Sequence, residues 1–285
     1  MRTLIIGAQG LVGSALARQL PDALQGIQFE AQQKNQRYVD ITKYETLFKV
    51  FDKFRPQIVY LCAAIADVNK CEDITTGIVN VRGVTTVLRL CESFESKLIW
   101  FSSSYVFDGK SKSPYKEDDD ANPIQNYGLQ KLQMEKLIKE SDANYLIIRT
   151  VGVFGKERRK KNFAKQVINS VFAGKEVNAP NDQWMNPILS DDLARVTIRL
   201  AEKKSGIFHV AGDECVTKYE YAKRIAGYFN LGDKVHPKTS EEMGQVAKRP
   251  KMGCLDCCEL ENLGTAIPSL SAGMQRFLGS SEFGE

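Results

Sequence analysis

Histidine is nearly absent: the 285 residues include two, His209 and His236. Both lie away from the Cys254-Leu-Asp-Cys257-Cys258 segment, whose Cys-x-x-Cys spacing has no second ligand pair, so no metal site is expected. Asp256 is instead expected to cap a helix, with the cysteines packing as small hydrophobes and His209, in an apolar strand-like run, serving structure. Long apolar runs are also missing. No stretch approaches the roughly 20 consecutive apolar residues of a membrane span. The N-terminus enters a strand pattern at once, which leaves no room for a signal peptide. Neither sign of charge dominates, since 39 Lys and Arg face 35 Asp and Glu. That balance gives no reason to expect nucleic acid as the main partner. Internal repeats and low-complexity tracts are absent too. Seven cysteines, an odd number spread over strand-like and helix-like segments, fit a reducing cytoplasm. At 43% hydrophobic residues, a chain of this length can bury a sizeable core, enough for one large domain and a smaller appended one.

What is present starts with glycine. Arg2-Thr3-Leu4-Ile5-Ile6 has the composition of a buried parallel strand and runs into Gly7-Ala8-Gln9-Gly10-Leu11-Val12-Gly13. Beyond Gly7 the period changes: Leu11, Val12, Ala15, Leu16 and Leu20 recur at helical spacing until Pro21. A glycine turn between strand and helix lets backbone approach a pyrophosphate, and the helix start offers free N–H groups and partial positive charge. The Gly-x-x-Gly-x-x-Gly spacing is one residue longer than the usual dinucleotide fingerprint, with the same mechanics.

The second signal is Tyr127 followed by Lys131, with Ser102-Ser103-Ser104 upstream. Residues four apart share one face of a helix, and 128–140 is rich in helix formers. An ammonium one turn away favours a phenolate and is expected to lower the tyrosine pKa toward neutrality. A serine hydroxyl nearby would steady charge developing on a carbonyl oxygen. Taken alone, Tyr-x-x-x-Lys also fits a surface helix; the glycine turn is what gives it weight.

Gly7-x-x-Gly10-x-x-Gly13, Ser102 through Gly109 and Asn126-Tyr127-Gly128-x-x-Lys131 resemble the extended short-chain dehydrogenase/reductases, and within them the dTDP-4-dehydrorhamnose reductases. The likeness continues through Asp40-Ile41-Thr42, Ala63-Ala64, Val68-x-Lys70-Cys71-Glu72, Ile148-Arg149-Thr150, Asp192-Leu193-Ala194 and Arg249-Pro250. It implies Ser103 as the catalytic hydroxyl, with Ser104 one residue away as the other choice. It further implies Tyr127 as the acid and Lys131 as the group that tunes it and holds the nicotinamide ribose. Gly7, Gln9, Gly10, Leu11, Val12, Gly13, Asp40, Ile41, Ala63 and Ala64 would contact the cofactor. Ser104, Tyr105, Trp184 and Arg249 would contact the substrate. Two segments depart from these reductases: Val151-Gly152 stands where Ser-Trp is usual, and Asp182-Gln183-Trp184-Met185-Asn186-Pro187-Ile188 where Asp-Gln-x-Gly-x-Pro-Thr is usual.

Alternating strand and helix patterns imply an α/β doubly wound parallel Rossmann sheet with a smaller C-terminal α/β substrate lobe. Strands are expected at 2–6, 26–31, 58–63, 98–101 and 145–149, with 207–210 as a late strand, and helices at 44–54 and 75–93. The dinucleotide domain would span 1–154, rejoined by about 188–212, and the lobe 155–187 and 213–285. With the second strand ending at Ala31, the acidic position that would bond a ribose 2′-hydroxyl holds Gln32. Lys34 and Arg37 follow it, suited to a 2′-phosphate or to a solvated loop. NADPH is therefore the expected cofactor, with NAD admitted. The basic run Lys156–Lys161 suits a diphosphate or solvent equally. The expected substrate is a nucleotide-linked 4-keto-6-deoxy sugar, turned over in the cytoplasm, with a homodimer admitted. The ending from Arg249 to Cys257 also resembles the regulatory beta subunits of methionine adenosyltransferases, which bind NADP and serve another enzyme. A non-catalytic binding role and a nucleotide-sugar epimerase therefore stand as alternatives.

Overall fold

Successive residues of the apolar runs go to opposite faces of one sheet, and each face carries its own core. The computed structural model describes residues 1–28, 33–156 and 162–280. Its strands are β1 (Thr3–Ile6), β2 (Leu24–Ile27), β3 (Gln36–Tyr38), β4 (Ile58–Leu61), β5 (Lys97–Ser103) and β6 (Tyr145–Thr150). They continue as β7 (Val177–Pro180), β8 (Trp184–Met185), β9 (Gly206–His209), β10 (Val216–Thr217) and β11 (Val235–Lys238). The helices are α1 (Leu11–Gln19), α2 (Tyr44–Phe54), α3 (Val84–Ser93), α4 (Asn126–Lys139) and α5 (Phe163–Phe172). After them come α6 (Ser190–Lys203), α7 (Lys218–Gly227), α8 (Cys258–Asn262) and α9 (Leu270–Leu278).

A seven-stranded sheet runs β3-β2-β1-β4-β5-β6-β9, parallel throughout. Leu4, Ile6, Trp100 and Ile147 point into a core shared with Leu47 and Phe51 of α2, Val87 of α3 and Met134 of α4. Ile5, Ile99, Leu146 and Ile148 point the other way, toward Leu16 of α1, Leu193 of α6 and the helices of the lobe. Period-two alternation thus decides which helix each strand residue meets. The strand order reverses between β1 and β4, and in doubly wound sheets ligands bind beyond the carboxyl ends of strands at such a switch point. Outside this sheet, β7 pairs with β11 and β8 with β10.

Three expectations need correction. The second strand is Leu24–Ile27 rather than 26–31; residues 29–32 lie outside the described ones. The cofactor expectation drawn from Gln32 thus falls on a residue outside the described ones. A strand at Gln36–Tyr38 carries Arg37, which a polar tripeptide gave no pattern to reveal. The helical stretch expected at 75–93 is also broken, as a 3₁₀ turn (Ile74–Thr76), a π-helical turn (Ile78–Gly83) and then α3. Cysteine usage departs as well: Cys215 and Cys254 form a disulfide, with Cα atoms 5.9 Å apart, leaving five free thiols. Val216 pairs with Met185 while Met252 bridges to the adjacent Trp184, so a shared partner strand draws the two cysteines together. No helix among the described residues is long and apolar enough to cross a membrane.

The glycine turn divides into a part the fold needs and a part it does not. Gly7 sits at φ 85°, where side chains are strained, and a Cβ on Gly13 would lie 2.2 Å from the Gly7 carbonyl oxygen. Gly10 is different. A Cβ there meets nothing closer than 3.4 Å. Gly13→Ala is therefore expected to cost about 1–3 kcal/mol by overpacking, whereas Gly10→Ala should cost under about 1 kcal/mol. Urea unfolding of both variants checks this, and equal midpoints would contradict it.

Candidate functional site

Beyond the carboxyl end of β1, the Gly7 and Ala8 N–H groups donate to the Gly26 carbonyl at 3.0 and 3.2 Å, closing the turn on β2. Gly10 precedes helix α1 as its N-cap and offers no side-chain cap, so the N–H groups of Leu11, Val12 and Gly13 in the first turn are left free of helical partners. Ala63 and Ala64 leave β4 alongside; a Cβ on Gly7 would meet the Ala63 nitrogen at 2.6 Å, so this approach of the two backbones requires glycine at position 7. Ile41 is buried against the π-helical turn, close to Gly83, and the Asp40 carboxylate accepts from the Thr42 N–H at 3.0 Å and hydroxyl at 2.7 Å. Arg37 pairs across the sheet with Gly26, but its guanidinium donates to the Lys34 and Gln36 carbonyls. Lys34 precedes β3 and lies toward the amino ends of the strands, so the structure does not bring it to the glycine turn. Of the basic run, Lys156 alone is among the described residues.

The serine run ends β5. Ser102 and Ser104 are buried with unpartnered hydroxyls, while Ser103 Oγ accepts the Tyr105 N–H at 3.2 Å and caps the following 3₁₀ turn. Helix α4 is pressed against that turn. A Cβ on Gly128 would sit 2.0 Å from the Tyr105 carbonyl oxygen, so only glycine allows the approach. The neighbouring Tyr127 consequently packs against the end of β5, its ring edge-on to Tyr105 and its phenol close enough to Ser103 to feel that hydroxyl. Lys131, one turn on, donates to the Phe101 carbonyl at 2.7 Å and lies 4.5 Å from the centre of the Trp100 ring. Its nitrogen is 5.6 Å from the Tyr127 ring centre, and both residues are buried.

Burial acts on the two groups in opposite senses. It pushes the Tyr127 phenol up, with Cys71 and Tyr105 adding to the rise and the Ser103 hydroxyl opposing it. The expected lowering by Lys131 is absent: desolvation outweighs a cation whose nitrogen is committed to Phe101. Lys131 itself is brought down to about 8 by burial, against the raising effect of Glu135.

Sequence patterns missed Asn80. Its Oδ1 accepts the Ile65 N–H at 2.9 Å, and its Nδ2 donates to the Ile65 carbonyl and to Gln130 Oε1 at 3.0 and 2.8 Å. It thereby fixes the chain just past Ala63-Ala64 to α4. A buried amide among Ile78, Val79 and Val81 was the available signal.

Beside this cluster lies a cleft of about 730 Å³, which Trp184 and Arg249 share with Lys110, Lys248, Lys251 and Met252. Met252 N–H donates to the Gly109 carbonyl at 3.1 Å and Gly253 N–H to the Trp184 carbonyl at 2.9 Å. The chain following Ser103 is thus knitted to the cleft wall. Ser104 Oγ faces that wall, 3.7 Å from where a Gly253 Cβ would stand, and Tyr105 meets the Tyr127 ring edge-on at 6.1 Å.

A glycine turn at a sheet's switch point, with serine, tyrosine and lysine gathered at the end of β5, is the architecture of a short-chain dehydrogenase/reductase. Within that class, the profile described as the RmlD substrate binding domain matches residues 1–282, and the chain belongs to this family. It is similar to a dTDP-4-dehydrorhamnose reductase of Aggregatibacter actinomycetemcomitans, at 30% identity over 94% of this chain and 95% of the relative. It is also similar to methionine adenosyltransferase 2 subunit beta of Rattus norvegicus, at 32% identity over 92% of this chain and 82% of the relative. The crystal structure of the Bacillus anthracis dTDP-4-dehydrorhamnose reductase in complex with NADP superposes with a TM-score of 0.89 at 30% identity, covering 97% of this chain and 98% of that one.

The depressed Lys131 pKa makes a test of the site's burial. Below pH 8 the ammonium is charged in both folded and unfolded chains, and the folded state carries the full cost of burying it. Between about 8 and 10.5 the folded chain gives up its proton first, so stability rises with pH. Relative to Lys131→Met, the wild type should gain about 2–3 kcal/mol between pH 7 and 10 in chemical unfolding. A difference that stays flat with pH would show that Lys131 is not held in this environment.

Proposed function

We propose that this chain is an NADPH-dependent reductase of a nucleotide-linked 4-keto-6-deoxy sugar. The observation that carries the reading is the convergence of Ser103, Tyr127 and Lys131 at the end of β5, where Gly128 lets α4 close on the Tyr105 carbonyl and Lys131 donates to that of Phe101. The residues suit a dinucleotide: Gly10 keeps open a space that the fold itself does not require, beside the free N–H groups of Leu11 and Val12. Similarity to a reductase solved with NADP supports that cofactor over NAD, and Arg37, paired with Gly26 on the neighbouring strand, is the candidate cation for a 2′-phosphate.

When bound, the reduced nicotinamide supplies the hydride. Tyr127 supplies the proton. Its raised pKa keeps the phenol protonated at neutral pH, the form needed by a group that must give a proton to an alkoxide. Ser103 donates to the same oxygen as negative charge grows on it, and Lys131 steadies the phenolate left behind. The substrate's diphosphate would lie among Lys110, Lys248, Arg249 and Lys251, with Trp184 offering its partly exposed ring to the base or sugar. Nucleotide-sugar epimerases share the fold at below 20% identity, which supports architecture alone.

A second reading has its own support in the 32% identity to a methionine adenosyltransferase subunit: a cofactor-binding regulator of another enzyme. Oxidation of NADPH against a panel of nucleotide 4-ketosugars separates the two. Turnover is expected with the wild type, and Tyr127→Phe should lower kcat by about 10²–10⁴-fold while NADP affinity changes little. Unchanged turnover in that variant would remove Tyr127 from the chemistry. No turnover in the wild type, together with tight NADP binding and a co-purifying partner enzyme, would favour regulation.

A further inference from the structure

Arg249 is held differently from the arginines that are locked in ion pairs. Arg18, Arg149 and Arg224 are each gripped by a carboxylate: Asp191 at 2.9 Å, Glu135 at 2.7 Å and Glu214 at 2.6 Å. Arg249 is gripped by neutral oxygens instead. Its Nη2 donates to Asn69 Oδ1 at 2.8 Å and its Nη1 to the Ala247 carbonyl at 2.7 Å. The same Asn69 oxygen also accepts the Ala247 N–H at 3.3 Å. Among the described residues, no carboxylate pairs with this guanidinium.

Asn69 belongs to a segment from the nucleotide side of the molecule, 180 positions from Arg249. Three residues on, Glu72 accepts the N–H of Asn126 at 3.1 Å, at the first residue of the helix that carries Tyr127. One short segment thus touches the start of α4 and reaches over to the wall of the cleft. Resting on the reading of that cleft as a nucleotide-sugar site, we propose that Asn69 is a positioning residue for substrate affinity. Its amide oxygen aims the Arg249 guanidinium at the cleft without cancelling its charge, so that charge stays available to the diphosphate. Of the five N–H donors on a guanidinium, Asn69 and Ala247 use one each, and the others are left for the ligand. A carboxylate at position 69 would hold the same geometry but neutralise the cation. An alanine would keep the charge and lose the aim.

The test uses the full chain saturated with NADP, with dTDP as the calorimetric probe. Asn69→Asp should bind dTDP about three- to tenfold more weakly than wild type, and Asn69→Ala should be weakened less. NADP affinity and the unfolding temperature should stay unchanged. With a substrate in hand, Asn69→Asp should raise KM by a similar factor at constant kcat. Equal dTDP affinity in wild type and Asn69→Asp would overturn the proposal, as would a loss of kcat without any change in dTDP binding. If the wild type itself does not bind dTDP, the nucleotide-sugar reading fails first and this proposal fails with it.

Discussion

The approach of α4 to the end of β5 is the constraint on which the rest of the site depends. Gly128 lies so close to the Tyr105 carbonyl that any Cβ would overlap it, and the Lys131 ammonium closes on the Phe101 carbonyl two residues before Ser103. These contacts fix both the distance and the rotation of the helix relative to the strand. With them set, Tyr127 has one face to present, and Ser103 stands opposite it. The same packing buries the phenol and the ammonium, so their shifted proton affinities follow from the geometry rather than from their attraction to each other. A tyrosine kept protonated by desolvation is ready to donate. A lysine already eased toward neutrality is poised to respond when new charge arrives nearby.

Helix α4 is held from behind as firmly as from the front. Glu135, one turn beyond Lys131, receives two bonds from Arg149 at 3.0 and 2.7 Å, and Arg149 also donates to the Glu117 carbonyl at 3.1 Å. His209 N–H reaches Glu117 Oε1 at 2.8 Å, and its ring, taken down to about 3 by burial and by Arg149, stays neutral beside Asp256. The cluster joins α4, β6 and β9 to the chain that leads into α8. Breaking one partner of a buried pair costs about 3–5 kcal/mol because the other charge is left uncompensated. Such a network resists displacement of the helix more than it adds net stability. In this molecule it lies directly behind the helix that bears the phenol.

The legible part of this protein was the part governed by local sequence. Gly7 and Gly13 are written into the strand-to-helix switch, and the structure shows why each must lack a side chain. Short continuous apolar runs placed β1, β4, β5 and β6, and the helical stretch over Tyr44–Phe54 became α2. What stayed hidden depends on partners distant in sequence. The β3 strand is polar and gains its place by pairing with β2, and Asn80 acquires meaning only when Ile65 and Gln130 meet it. The disulfide joins residues 39 apart whose proximity comes from pairing onto Trp184-Met185. Lys131 illustrates a subtler failure. Its spacing from Tyr127 was correct for one helix face, but the sign of the tyrosine shift turned on burial, which spacing does not encode.

The two departures from the reductase pattern meet in space at Gly152 and Met185. Gly152 takes the place of a usual tryptophan and Met185 that of a usual glycine, and a Cβ on Gly152 would lie 3.1 Å from the Met185 sulfur and 3.2 Å from Pro187 Cα. A large ring on one segment has been exchanged for a flexible thioether on the other, with the bulk moved across the contact. Cores accept such swaps when volume is roughly conserved, and methionine fills irregular gaps readily. The backbone records the exchange too, since Gly152 sits at φ 60°, a conformation that strains most side chains. Met185 pairs with Val216 beside the Cys215–Cys254 bridge, and its neighbour Trp184 lines the cleft. The altered residues therefore lie under the wall that a substrate would touch, while the glycine turn and the serine, tyrosine and lysine are untouched by them. A proposed serine, tyrosine and lysine set held constant over a rebuilt floor is what a change of substrate, rather than a loss of chemistry, would leave behind.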